Sequence, residues 1–163
     1  MFTALHRPDA SAAELHATVL EQARALFAGE RDATANAANL ASLLFHTLPD
    51  LNWAGFYWMK GGELVLGAFQ GKPACVRIAV GKGVCGTAAA QRRSIVVPDV
   101  HAFPGHIACD SASSSEVVVP VMKGERVLGV LDLDSPSPGR FSDEDARALE
   151  AVVRAFVEST DLG

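Results

Sequence analysis

Apolar positions recur at helical spacing in three stretches of this chain and at strand spacing between them. Residues 11–28 place Leu15, Val19, Leu20, Ala23, Leu26 and Phe27 along one face, with Ser11 and Glu14 spaced as a capping box and Gly29 as the stop. A second helix is expected from about Asp32 to His46, its face made by Ala37, Leu40, Ala41, Leu44 and Phe45, with Pro49 closing it. His46 falls at the C-terminal end, where the helix dipole favours a cation, and is assigned no chemistry. The third helix, FSDEDARALEAVVRAFVES, has Ser142 as its cap and acids in its first turn. It turns Ala146, Leu149, Val152, Val153 and Phe156 inward.

From Asn52 the period becomes two. Trp53, Gly55, Tyr57 and Met59 fall on one face of a strand and Ala54, Phe56 and Trp58 on the other; Lys60-Gly61-Gly62 then turns it into ELVLGAF. ACVRIAV, which holds Cys75, and SIVVPDV read as short strands. SSEVVVPVM and RVLGVLDLD read as an antiparallel pair across Lys123-Gly124-Glu125. In the last strand Leu128, Val130, Asp132 and Asp134 share a face, so a side expected to be buried turns acidic. GKGVCGTAAAQRR is a glycine turn feeding a short helix with Cys85, and HAFPGHIACDSASS is a long polar connection. The pattern predicts an α+β fold: a five- or six-stranded antiparallel sheet with three long helices packed on it, and the short helix and the 98–113 loop enclosing a pocket on the other side. One domain is expected over 1–163, with N-terminal helices in 11–48, a sheet and pocket block over 52–134 and a C-terminal helix over 142–159.

Composition narrows the function. The chain is 49% hydrophobic and 20% charged, with a formal charge of -5. That suits a folded, water-soluble protein and argues against nucleic acid, whose phosphates call for a basic face. No apolar stretch approaches the roughly 20 residues of a membrane span. MFTALHRPDA shows no apolar segment before a cleavage site, so a cytoplasmic location is the expectation. There GKGVCG lacks the spacing of a triphosphate or dinucleotide loop, although amides at the start of its helix could receive a carboxylate.

All three cysteines, Cys75, Cys85 and Cys109, lie in the block from Phe69 to Asp134, with His101, His106 and a run of acids. An odd number of thiols makes no disulfide framework. Cys85, His101, His106 and Cys109 are the right residue types for zinc, but no pair has a standard short spacing. Cys109 with His101 or His106 could be drawn as a hydrolase nucleophile and base. Three thiols beside acids suit thiol–disulfide redox work better, with one thiol attacking and another resolving.

The motifs WAGFYW, FQGKPACVRI, GKGVCGTAA, VPDVHAFPGHIACDSAS, SEVVVP and GVLDLDSP resemble those of the free methionine-(R)-sulfoxide reductases, stand-alone GAF-domain enzymes, over residues 35 to 150. Ala68 in place of proline and Ser114 in place of asparagine depart from the family pattern without removing a reactive group. The resemblance implies a GAF-like fold and reduction of free L-methionine-(R)-sulfoxide. Cys109 corresponds to the attacking cysteine, Cys75 to the resolving one in a Cys75–Cys109 redox disulfide, and Cys85 to an auxiliary thiol. Glu116, Asp132 and Asp134 correspond to the acids that bind the substrate amine and engage the sulfoxide oxygen, with Glu116 and Asp134 also in catalysis. Trp53 and Tyr57 correspond to the pocket wall. No bound cofactor and no metal are implied. Reducing equivalents would come from thioredoxin, supplied by NADPH through thioredoxin reductase, and a homodimer is expected. A GAF module that senses a small molecule without turnover is the alternative, and the absence of an obvious output segment counts against it.

Overall fold

The structure, a computed structural model, describes residues 7–163. The start of the N-terminal segment read for a leader therefore lies outside the described residues. Helices α1 (Ala12–Phe27) and α2 (Ala33–Thr47) precede strands β1 (Trp53–Lys60), β2 (Glu63–Gly71) and β3 (Arg77–Ala79). Helix α3 (Gly83–Gln91), β4 (Ile95–Val97), β5 (Ser115–Lys123), β6 (Arg126–Ser135) and α4 (Asp143–Ser159) complete the chain. The strands form one six-stranded sheet in the order β3-β2-β1-β6-β5-β4, with every pair antiparallel.

Period-two alternation along the central strands decides which layer each side chain joins. Ala54 and Phe56 of β1, Val117, Val119 and Val121 of β5, and Leu131 and Leu133 of β6 pack with the apolar faces of α1, α2 and α4. Phe156 of α4 is fully buried there, its ring 5.2 Å from Phe56 and 5.8 Å from Phe27. Burial of a side chain of that size stabilises the fold by about 2–3 kcal/mol. The opposite face carries Trp53, Tyr57, Val118 and Val130, covered by Val84, Cys85, Ala88 and Ala89 of α3 and by the loops. Residues Lys60 and Glu63 pair across a two-residue turn in which Gly61 and Gly62 both hold positive φ, 61° and 83°. That conformation matches the right-handed twist of the flanking strands.

Three local expectations are corrected. At α1 the Ser11 hydroxyl accepts from the Glu14 amide at 3.2 Å, but the reciprocal bond from the Glu14 side chain is missing. The complete capping box is at α4, between Ser142 and Asp145. Leu128 does not share a face with Val130: Val121 pairs with Gly129 and Met122 with Val127, so Leu128 is the extra residue of a β-bulge and packs on the helix side. Cys75 is not in a strand. Pro73 cannot donate to the ladder, the strand is confined to Arg77–Ala79, and Cys75 sits in the connection ahead of it.

Candidate functional site

A cleft of about 530 Å³, its open mouth included, lies on the α3 side of the sheet. Its floor is set by strand register. Glu116 of β5 faces Asp134 of β6, which in turn faces Trp53 of β1; one pleat along, Asp132 lies between Val118 and Gly55. The two-residue spacing therefore delivers Asp132 and Asp134 to one face, and the hairpin brings Glu116 beside them. Glu116 and Asp132 are 5% and 6% exposed, a depth at which carboxyl groups are rarely found ionised and unpaired. Asp134, half-buried, also lines the cleft.

Burial, reinforced by the Asp134 charge, pushes the Glu116 carboxyl up to about 8. Burial and then Glu116 raise Asp132 well above the carboxylate range, and burial followed by Asp132 and Asp110 raises Asp134. The cluster therefore holds protons at neutral pH, and it titrates as a group rather than residue by residue. Oδ1 of Asp132 is buried without a hydrogen-bond partner among the described residues, an acceptor open to a donor entering the cleft.

The aromatic wall depends on a second bulge. Gly55 pairs with Phe69 but Tyr57 pairs with Leu66, so β2 carries one extra residue around Gly67–Ala68 and Phe69 turns to the cleft side. Phe69 stacks on Trp53 at 5.3 Å, and Trp53 on Tyr57 at 5.8 Å. This approach requires glycine at 55, because a Cβ there would lie 2.3 Å from the Cβ of Phe69. Trp53 Nε1 donates to the Lys72 carbonyl at 3.1 Å and the Tyr57 hydroxyl to the Cys75 carbonyl at 3.0 Å, so the wall also holds the Cys75 connection in place. Burial, followed by the charge of Asp132, raises the Tyr57 hydroxyl far above its ordinary value and keeps it a neutral donor.

Cys75 and Cys109 form a disulfide, their Cα atoms 5.6 Å apart and 34 residues apart in sequence. It ties the connection after β2 to the connection before β5, and Cys109 lines the cleft. Asn52 reinforces the second connection by donating to Asp110 Oδ2 at 3.1 Å and to Ser113 Oγ at 3.0 Å. Cys85, in the first turn of α3, is a free and buried thiol 3.9 Å from Glu116 Oε1. Burial, with the charges of Asp132 and Glu116, raises its pKa well above the ordinary thiol value, so it is a poor thiolate where it stands.

His106, a candidate in the sequence only for zinc or as a hydrolase base, has its Nε2 3.6 Å from Glu116 Oε2 and its side chain in the cleft lining. Burial lowers its pKa while that of Glu116 rises, so near neutrality the two meet as neutral groups rather than as an ion pair. His106 lies three positions before Cys109, but loop periodicity carries no information on orientation. His101 is exposed, in a 3₁₀ turn over Val100–Ala102. With Cys109 also in the disulfide, the zinc set of Cys85, His101, His106 and Cys109 does not assemble. Among the described residues the one cluster whose ligand atoms converge, all within 4.8 Å of one another, is Cys85, Glu116 and Asp132.

A covered antiparallel sheet with a cleft between α3, the loops and the central strands is a GAF architecture, and the GAF domain family model matches residues 34–156. Within that class the chain is 51% identical over 140 residues to free methionine-R-sulfoxide reductase of Escherichia coli, covering 86% of this chain and 85% of that protein. The crystal structure of free methionine-R-sulfoxide reductase from Neisseria meningitidis in complex with its substrate aligns with a TM-score of 0.93 at 40% identity, covering 98% of this chain and 95% of that one. A candidate GAF sensor protein from Burkholderia vietnamiensis aligns with a TM-score of 0.90 at 61% identity, over 93% and 96% of the two chains. The chain belongs to the free methionine-R-sulfoxide reductase family.

Proposed function

We infer that the protein reduces free L-methionine-(R)-sulfoxide to L-methionine with its own thiols. The observation that carries this is the Cys75–Cys109 bridge at a cleft floored by protonated acids and walled by aromatic rings. In the reduced protein the Cys109 thiolate attacks the sulfoxide sulfur. The sulfoxide oxygen, a poor leaving group until protonated, takes a proton from the Glu116–Asp134 end of the cluster. Methionine leaves and Cys109 is left as a sulfenic acid. The Cys75 thiolate then attacks Cys109 Sγ, expelling the oxygen as water and forming the disulfide. One sulfoxide and two thiols are thereby converted to one thioether, one disulfide and one water.

The substrate's ammonium group suits the orphan Oδ1 of Asp132, and its α-carboxylate suits the amides at the start of α3, where Lys82, Gly83 and Val84 line the cleft. The S-methyl group fits against Trp53 and Tyr57. Cys85 serves as an auxiliary thiol, and His106 orients Glu116. Thioredoxin, kept reduced by NADPH through thioredoxin reductase, reopens the disulfide, a cycle that suits the cytoplasm; no helix among the described residues is long and apolar enough to cross a membrane. The reading takes residues 1–163 as one catalytic domain working as a homodimer, a state that light scattering would measure.

Chiral amino-acid analysis tests the activity. Incubated with both sulfoxide epimers and dithiothreitol, the protein should consume the (R) epimer, release methionine and leave the (S) epimer. N-acetylated substrate should be poor, because it removes the ammonium and leaves Asp132 unpaired. Tight binding of methionine sulfoxide with no methionine formed would replace this reading with a sensing module.

A further inference from the structure

We propose that the surface around the Cys75–Cys109 bridge is a docking face for the thioredoxin that reopens it, and that the incoming thiolate attacks Cys75. The proposal rests on the reductase reading above. Among the described residues the large apolar side chains most open to solvent are Val76, Val80 and Ile107, at 61%, 41% and 37% exposure. All three lie on the two segments that the disulfide joins. Val76 follows Cys75, and Ile107 lies two residues before Cys109. Val80 follows β3 and opens the turn into Gly83, where a Cβ would lie 3.1 Å from Ile107 Cδ1. None of the three joins either hydrophobic core, although Ile107 also lines the cleft. Single exposed apolar residues need no explanation, but three on the two segments that one reducible bond joins form a contact patch.

The patch has a basic border. Lys72 and Lys82, which also line the cleft, are exposed and belong to no ion pair among the described residues, although the chain as a whole carries a formal charge of -5. The occupant it fits is a small dithiol protein with apolar surface around its cysteines and acidic charge beyond, which is the role the cycle gives to thioredoxin. Both cysteines are half-buried, but only Cys109 lines the substrate cleft, so attack from outside the cleft is assigned to Cys75. A thioredoxin thiolate forms a bond to Cys75 Sγ as the S–S bond breaks, and Cys109 leaves as a thiolate into the cleft, already in place for the next substrate. The second thioredoxin thiol then attacks its partner sulfur and frees Cys75. Thioredoxin is oxidised to its disulfide and this protein is reduced to the dithiol, two electrons in all.

The test compares two reductants on a Val76→Glu/Val80→Glu double variant, both sites lying outside the cleft lining. With thioredoxin, NADPH and thioredoxin reductase, kcat/KM for thioredoxin should fall by about tenfold or more, the size expected when an apolar anchor of an interface is replaced by a charge. With dithiothreitol, methionine formation should stay within about twofold of wild type, because a small thiol needs no docking face. Equal losses with both reductants, or no loss with either, would overturn the docking face. Independently, a thioredoxin whose second cysteine is serine should be trapped as a mixed disulfide at Cys75, and trapping at Cys109 would overturn the direction of attack. Failure of the wild type to make methionine with dithiothreitol would instead overturn the reductase reading itself.

Discussion

Replacing Glu116 with glutamine should stabilise the disulfide form of the protein, and by an amount that depends on pH. The carboxyl's pKa is raised from 4.5 to about 8, by burial first and by Asp134 second. At about 1.4 kcal/mol for each pH unit, keeping the ionised carboxylate buried costs about 5 kcal/mol at alkaline pH. The folded state binds this proton more tightly than the unfolded state. Stability from the group is therefore complete below pH 4.5, declines as pH rises from there, and levels off above about 8. A glutamine cannot ionise and keeps nearly the same shape, so the variant escapes the decline. Wild type and Glu116→Gln should melt together near pH 5, and by pH 8.5 the variant should melt higher by about 10 °C for a chain of this length. The assay is a series of thermal melts from pH 5 to 9 on both oxidised proteins, with kcat/KM measured on the same preparations. Activity should move the other way, falling by about 10²–10³-fold if this residue protonates the sulfoxide oxygen. A constant difference in Tm across the pH range would refute the claim that Glu116 is held protonated. Wild-type turnover in the variant would remove it from proton transfer.

The thiols separate cleanly: Cys109→Ser should make no methionine in a single turnover, whereas Cys75→Ser should make one equivalent per site and then stall with thioredoxin, as quenched-flow amino-acid analysis would show. Asp145 should govern acid stability. Burial pushes its carboxyl up, but the Ser142 amide at 2.8 Å and the His16 ring at 2.7 Å outweigh this and hold it below its usual range, so the stabilisation is present at neutral pH and lost as pH falls through the carboxylate range. Asp145→Asn should cost about 1–2 kcal/mol at pH 7 and much less at pH 3, measured by urea unfolding. Gly55→Ala should lower Tm by several degrees through a loss of about 1–3 kcal/mol, because its Cβ would meet Phe69 Cβ at 2.3 Å and Phe69 Cα at 2.8 Å, forcing β1 and β2 apart; an unchanged melt would show that the strands separate without cost.

The features legible in the sequence were those set by short-range periodicity. Alternation along β6 put Asp132 and Asp134 on the cleft side, and the Gly124 turn fixed their meeting with Glu116. The six strands and four helices followed from where the period changed between two and 3.6. The bulges at Leu128 and around Gly67–Ala68 were not legible, because inserting one residue shifts a face without altering local composition. Hence Leu128 was placed on the wrong side, and Phe69 was not recognised as part of the aromatic wall. The place of His106 beside Glu116 was not legible for a related reason: its loop is tied down by a long-range disulfide and by Asn52, neither of which leaves a trace in loop spacing.

Acids and thiols stand on different kinds of support. Glu116, Asp132 and Asp134 are rungs of the central ladder, while Cys75 and Cys109 ride on two connections joined across the sheet by one covalent bond. The acids are thus as durable as the global fold, and the disulfide belongs to a stratum that can open locally. Each turnover writes its outcome into the connectivity of the surface: a tied loop records a spent enzyme and an untied loop a charged one. Proteolytic nicking of the 98–113 segment would then read out the cellular reducing balance, with no change in the sheet beneath.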